Sequence, residues 1–174
     1  MSSKNNNYAY IDGQNLNLGV QSLGWKLDYR RFRIYLREKY NITNAYLFIG
    51  FIAEQNKLYT ALQQSGFILK FKPTFANQEG NYKGNVDADL ILQLIIDFYE
   101  RRFEGAIIVT SDGDFYSAVK FLYDKNGLIA VLSPYFKTCS FLLRKAAKEK
   151  LLFMDTLRSK LEYKRKTPPK DETN

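Results

Sequence analysis

Short apolar runs alternate with amphipathic stretches along almost the whole chain. "YAYID" at 8–12 reads as a strand that stops at Asp12 and Gly13. "LDYRRFRIYLREKY" at 27–40 sets Leu27, Phe32, Leu36 and Tyr40 near helical spacing, with Asp28 at its start and Arg30, Arg31, Arg33 and Arg37 on the other face. Next come a strand at 44–51, a helix at 53–66 closed by Gly66, and a strand at 67–74 halted near Pro73. After the polar loop "ANQEGNYKGN", the stretch 86–103 is too densely apolar for a surface helix and predicts one half buried against a sheet. A strand at 105–111, a helix at 114–127 stopped by Gly127 and a strand at 128–134 follow, then a helix from 139 ending in a short apolar piece.

Strands that alternate with helices, and central strands that are continuously apolar, predict an α/β fold. Its sheet is mainly parallel, with helices on both faces. In such folds ligands bind beyond the carboxyl ends of the strands, where strand order reverses. The expected organisation is a flexible N-terminus at 1–7, one domain at 8–157 and a basic, disordered C-terminal tail at 158–174.

That geometry changes how the acidic residues read. Asp12 ends the first strand, Asp112 and Asp114 follow the "AIIVT" strand, and Asp87 opens the half-buried helix, so carboxylates from distant parts of the chain converge on one sheet edge. Each has an ordinary alternative use: Asp12 in an Asx turn, Asp112 or Asp114 as a helix cap, Asp87 against the helix dipole. Asp89 is two residues from Asp87, about 200° around a helix, so only one of the two faces the site, and Asp87 is expected there. Packed together, such groups repel one another and raise one another's pKa unless a cation sits among them.

Composition narrows the cation and the partner. The chain has no histidine and one cysteine, Cys139, which excludes His-based zinc sites, Ser-His-Asp triads and an internal disulfide. All-oxygen ligation suits Mg²⁺ or Mn²⁺, which bridge to phosphate oxygens. The net charge of +8 points to a polyanion. No stretch has the length of a signal-peptide core or a membrane span, and the expected location is the cytoplasm, with no membrane partner. Apolar helix faces leave room for a homodimer.

Three motifs, in order, resemble the NYN domains of the PIN-like nuclease superfamily, in particular the LabA-like branch: "YIDGQNL" at 10–16, "KGNVDADL" at 83–90 and "TSDGDF" at 110–115. "LIAVLSP" at 128–134 and the stretch after it resemble the family's last strand and closing helix, so the likeness spans roughly 8–157. The resemblance implies a three-layer α/β/α PIN-like fold and RNA cleavage with Mg²⁺ or Mn²⁺. It implies metal-binding, catalytic carboxylates at Asp12, Asp87, Asp112 and Asp114, with Asn15 and Ser111 supporting them. For contact with RNA, single-stranded or structured, chemistry nominates Arg30, Arg31, Arg33 and Arg37, Lys70, Lys72 and Lys83, and the tail residues Lys164, Arg165 and Lys166. Tyr82 and Phe115 are nominated to stack on unpaired bases.

The function expected is a metal-dependent endoribonuclease that leaves 5′-phosphate and 3′-hydroxyl ends. A non-catalytic RNA-binding or regulatory module is the alternative. A phosphatase with an Asp nucleophile would want an Asp-x-Asp pair after the first strand, and position 14 is Gln14.

Overall fold

A computed structural model describes residues 6–72, 75–76, 82–83 and 86–165, with the backbone alone at 75–76, 82–83 and 86. The chain runs β1 (Asn7–Asp12), α1 (Gly13–Ser22), α2 (Tyr29–Tyr40), β2 (Ile42–Gly50), α3 (Asn56–Gln64) and β3 (Phe67–Lys72). Then come β4 (Phe75–Ala76), β5 (Tyr82–Lys83), α4 (Val86–Tyr99), β6 (Gly105–Val109) and α5 (Tyr116–Asp124). β7 (Leu128–Ser133), α6 (Phe141–Ala147), β8 (Leu151–Phe153) and α7 (Arg158–Leu161) complete it.

Six strands form one sheet in the order β3-β2-β1-β6-β7-β8, and every pairing in it is parallel. β4 and β5 make a separate antiparallel ribbon. The chain builds outward from β1 to β3, then returns to lay β6 against the other side of β1. Strand order therefore reverses between β1 and β6, the point at which a parallel sheet opens a crevice at its carboxyl edge.

The central strands are buried along their whole length, which is why they read as unbroken apolar runs. Their period of two feeds two cores. Ala9, Ile11, Ile107 and Val109 face Leu16 and Val20 of α1, Phe32 and Leu36 of α2, and Leu161 of α7. Tyr8, Tyr10, Ala106 and Ile108 face Leu90 and Leu94 of α4, Val119 and Leu122 of α5, and Leu143 of α6. Each fully buried aliphatic side chain contributes about 1.5–3 kcal/mol. Helices on both faces of one sheet make the three-layer α/β/α arrangement.

Three expectations change. "GQNLNLGVQS" is a helix, α1, in a stretch to which the pattern assigned no element; its short stripe of Leu16, Gly19 and Val20 is buried. Residues 158–163, expected in the tail, pack on the domain: Leu161 is buried, the Asp28 N–H donates to the Leu161 carbonyl, and the Tyr163 N–H donates to Lys26 O. At the other end, Asn7 already belongs to β1 and is buried.

Candidate metal centre

β1 delivers Asp12 to the carboxyl edge in extended conformation, and Asp12 Oδ1 accepts a hydrogen bond from the Asn15 N–H at 3.1 Å. That bond caps α1, so the helix can start directly at the strand end. Gly13 is required there: a Cβ would stand 2.4 Å from Ile49 Cγ2 and 2.9 Å from the Phe48 carbonyl oxygen. With α1 seated so closely, Asn15 Oδ1 reaches across to accept the Ser111 N–H at 2.8 Å.

β6 is prolonged by Thr110 and Ser111, both buried. The Thr110 hydroxyl donates to Asp12 Oδ2 at 3.2 Å and accepts the Asp112 N–H at 3.1 Å, tying the two strand ends together. Ser111 Oγ bonds Ser133 Oγ of β7 at 2.8 Å. Asp112 Oδ1 accepts the Asp114 N–H at 2.9 Å and caps the single 3-10 turn Gly113–Phe115. The loop is held from the far side as well. The Ser140 N–H donates to Ser111 O at 2.9 Å, and a Cβ on Gly113 would stand 2.5 Å from Ser140 Oγ. This accounts for a glycine between two aspartates.

The first turn of α4 brings Asp87 to the same edge. One carboxylate oxygen from each of Asp87, Asp112 and Asp114 lies within 4.8 Å of the others. Asp87 and Asp112 are half-buried and Asp114 is exposed, so the group is open to solvent on one side. Burial, followed by the charges of Asp12, Asp112 and Asp114, raises the pKa of Asp87 to about 6, against a smaller lowering by Lys72. Asp12 is also raised, chiefly by burial and with a contribution from Asp112, although the hydrogen bonds from Asn15 and Thr110 oppose the shift.

Asp12 is outside the group of three; its oxygens face Asn15 and Thr110. Its charge nevertheless reaches Asp87 and Asp112. The donor set is entirely carboxylate oxygen, in a chain with no histidine, and its members repel one another. These are the properties of a site that a hard divalent cation such as Mg²⁺ or Mn²⁺ fits.

Other expected residues are placed differently. Arg33 is a structural residue: its Nε donates to Gly66 O at 2.9 Å, Nη1 to Ile42 O at 3.1 Å and Nη2 to Thr43 O at 2.8 Å. Those carbonyls lie where β2 and β3 begin, the edge opposite the aspartates, so Arg33 is removed from the nucleic-acid candidates. Arg31 pairs with Asp28 at 3.6 Å, and Arg30 is exposed on the same helix, on the sheet face away from α4. Phe115 is fully buried in the core and offers no face to a base. Asp89 is exposed and takes no part in the carboxylate group. The side chains of Tyr82 and Lys83, and residue Lys166, lie outside the described residues.

Two buried polar residues, one at the site and one beyond it, escaped the sequence reading. Thr110 looked like one more strand residue, and only its register beside Asp12 makes it a bridge. Asp97 is fully buried, accepts from Tyr10 Oη at 2.7 Å and Gln93 Nε2 at 2.9 Å, and pairs with Arg102 at 3.3 Å. Its spacing of four from Gln93 on α4 was the available signal.

A doubly wound parallel sheet with an acidic cluster at its switch point defines a class, the three-layer α/β/α domains with a carboxylate site suited to a divalent cation. Within that class the chain belongs to the NYN domain family, whose model matches residues 8–155. It is 27% identical over 132 residues to the Low amplitude and bright protein LabA of Synechococcus elongatus, a match that covers 71% of each chain and agrees with the LabA-like branch. Its fold is similar to the crystal structure of a protein of unknown function from Vibrio parahaemolyticus, with a TM-score of 0.73 and 21% identity over 88% of this chain and 96% of that one. Among the described residues, no helix is long and apolar enough to cross a membrane.

Proposed function

We propose that this chain is a metal-dependent ribonuclease that hydrolyses RNA phosphodiester bonds with Mg²⁺ or Mn²⁺. The observation that carries the reading is the meeting of Asp87 with Asp112 and Asp114 at the switch point of a protein whose net charge is +8. A divalent cation held by these three carboxylates would supply Lewis acidity toward water and positive charge against the phosphate. The remaining roles belong to the chain itself. Asp12 adds a fourth negative charge from behind the group, while Thr110, Asn15 and Ser111 fix the loop that carries Asp112. Asp114, the most exposed of the three, orients the attacking water and takes its proton. The P–O3′ bond breaks and the 3′ oxygen leaves, taking a proton from solvent water, so the products carry 5′-phosphate and 3′-hydroxyl ends.

The decisive experiment is incubation of labelled RNA and DNA with purified protein in Mn²⁺, Mg²⁺ or EDTA, beside Asp112→Asn. Cleavage of RNA that needs the metal and is lost in Asp112→Asn supports the reading. RNA left intact in Mn²⁺ sinks it. A non-catalytic RNA-binding role is the second reading, favoured by one observation: Asp12 stands outside the group of three, with its oxygens taken by Asn15 and Thr110. That role predicts metal binding without turnover, and salt-sensitive RNA binding that survives Asp12→Asn.

A further inference from the structure

The segment that braces the aspartate loop carries a surface of its own. After β7 the chain turns through Phe136–Thr138 into α6, where the Ser140 N–H holds Ser111 O and the helix packs against the turn Gly113–Phe115. Phe141, the residue after Ser140, is 76% exposed, and Phe136 and Leu142 are half exposed. Phe136 is held in place: its N–H donates to Asp155 Oδ2 at 3.0 Å, its carbonyl accepts from Arg144 Nη2, and its ring meets Phe153 edge-on at 5.0 Å. The Arg144 guanidinium lies 4.3 Å from the centre of the Phe136 ring and 5.1 Å from that of Phe153, while its Nε donates to Cys139 O at 3.3 Å. Large apolar side chains left in water on a braced support are a binding surface formed in advance.

Charge indicates the occupant. From Ser133 to Lys148 the sequence has no acidic residue and carries Lys137, Arg144, Lys145 and Lys148. Lys137, beside Phe136, and Lys145, one helical turn beyond Phe141 on the same side of α6, are exposed. Among the described residues neither has an ion-pair partner. This surface lies on the same side of the sheet as Asp87, because Leu143 and Ala146 of α6 share a core with Leu90 and Leu94 of α4. The rings, the lysines and the carboxylates thus belong to one face of the domain. Free cations beside exposed aromatic rings complement the phosphates and bases of an unpaired strand.

We propose that Phe136 and Phe141 receive unpaired bases of an RNA strand whose scissile phosphate lies at the aspartates, with Lys137 and Lys145 on its phosphates. The surface rests on the ribonuclease reading for its ligand, and it carries the strand past Asp112 and Asp114 over the loop that follows β7.

The test uses the full chain in EDTA. Its probes are a short oligoadenylate RNA, an abasic strand of equal length, and vesicles of phosphatidylserine and phosphatidylcholine. Trp25 is the single tryptophan and is buried, so Phe141→Trp places a reporter on the surface. Oligoadenylate should quench its emission and the abasic strand should not. Phe141→Ala, a change at an exposed position, should bind oligoadenylate on the order of tenfold more weakly and the abasic strand as wild type does. Lys137→Gln combined with Lys145→Gln should weaken both strands and lower the salt slope of binding by roughly 0.7 for each lysine. RNA binding seen by anisotropy without quenching in Phe141→Trp overturns the surface, as does an equal loss on both strands in Phe141→Ala. Vesicles bound by wild type and not by Phe141→Ala, with no quenching by oligoadenylate, assign the surface to a membrane and overturn it too. Cleavage in Mn²⁺ is measured in parallel. Cleavage without quenching overturns the surface alone, whereas quenching without cleavage keeps the surface and overturns the ribonuclease reading.

Discussion

Asn15 Oδ1 accepts a hydrogen bond from the backbone N–H of Ser111 at 2.8 Å, across 96 residues of sequence. It pins the loop bearing Asp112 to the helix that Asp12 caps, so the carboxylates are aligned before any cation arrives. Asn15→Ala should therefore weaken Mn²⁺ binding by about tenfold, the lower end of what loss of an orienting partner costs. Calorimetric titration measures it, and Thr110→Val should weaken binding in the same direction. Unchanged Mn²⁺ affinity in both variants would remove the orienting role.

Gly13 and Gly113 make a second prediction, because the groups that a methyl would strike differ in kind. At Gly13 the obstruction includes the Phe48 backbone carbonyl, which cannot step aside. Gly13→Ala should cost about 1–3 kcal/mol in urea unfolding, the usual penalty of overpacking. At Gly113 the nearest atom is the Ser140 hydroxyl. Gly113→Ala should be less destabilising and should be partly relieved by Ser140→Ala, a coupling that no Ser140 variant should show with Gly13→Ala.

The aspartates were legible in the sequence because each follows a strand or opens a helix, and a parallel sheet sends all such positions to one edge. Helical geometry allowed only one of Asp87 and Asp89 to face the site, and the resemblance placed Asp87 there. The helix α1 was not legible: its buried stripe is short and polar residues fill the remaining positions, so no element was assigned after "YIDG". Arg33 misled for a related reason. Its neighbours form a basic helix face, and nothing local reveals that three carbonyls at the far edge of the sheet occupy its guanidinium. Phe115 follows an acidic loop at the surface, yet its ring anchors the 3-10 turn from below. Contacts between residues far apart in sequence decided each of these cases.

Asp97 belongs to stability, not to the metal centre, and this can be measured. It lies at the C-terminal end of α4, the opposite end of the helix from Asp87, and satisfies Tyr10, Gln93 and Arg102 together. Asp97→Ala leaves the buried Tyr10 hydroxyl unpaired and should cost about 3 kcal/mol, the low end for breaking a buried pair because Arg102 is half exposed. Asp97→Asn keeps an acceptor for Tyr10 and should cost less. Urea unfolding gives both values, and Mn²⁺ affinity should be unchanged in Asp97→Asn.

The repulsion at the metal centre gives the protein a pH dependence whose sign can be worked out. Asp87 has its folded pKa raised to about 6, above the ordinary carboxylate value it has in the unfolded chain. Between the two values the native state binds more protons than the unfolded state, so stability falls as pH rises through this window. Asp12, raised in the same direction, adds to the trend. Without divalent cation, the melting temperature should therefore be higher near pH 5 than near pH 7, and Asp87→Asn should flatten the difference. A cation that binds these carboxylates competes with the protons. Mn²⁺ should accordingly raise the melting temperature more at pH 7 than at pH 5, and EDTA should reverse the gain. A rise in metal-free stability between pH 5 and pH 7 that Asp87→Asn abolishes would contradict a crowded, mutually repelling carboxylate site.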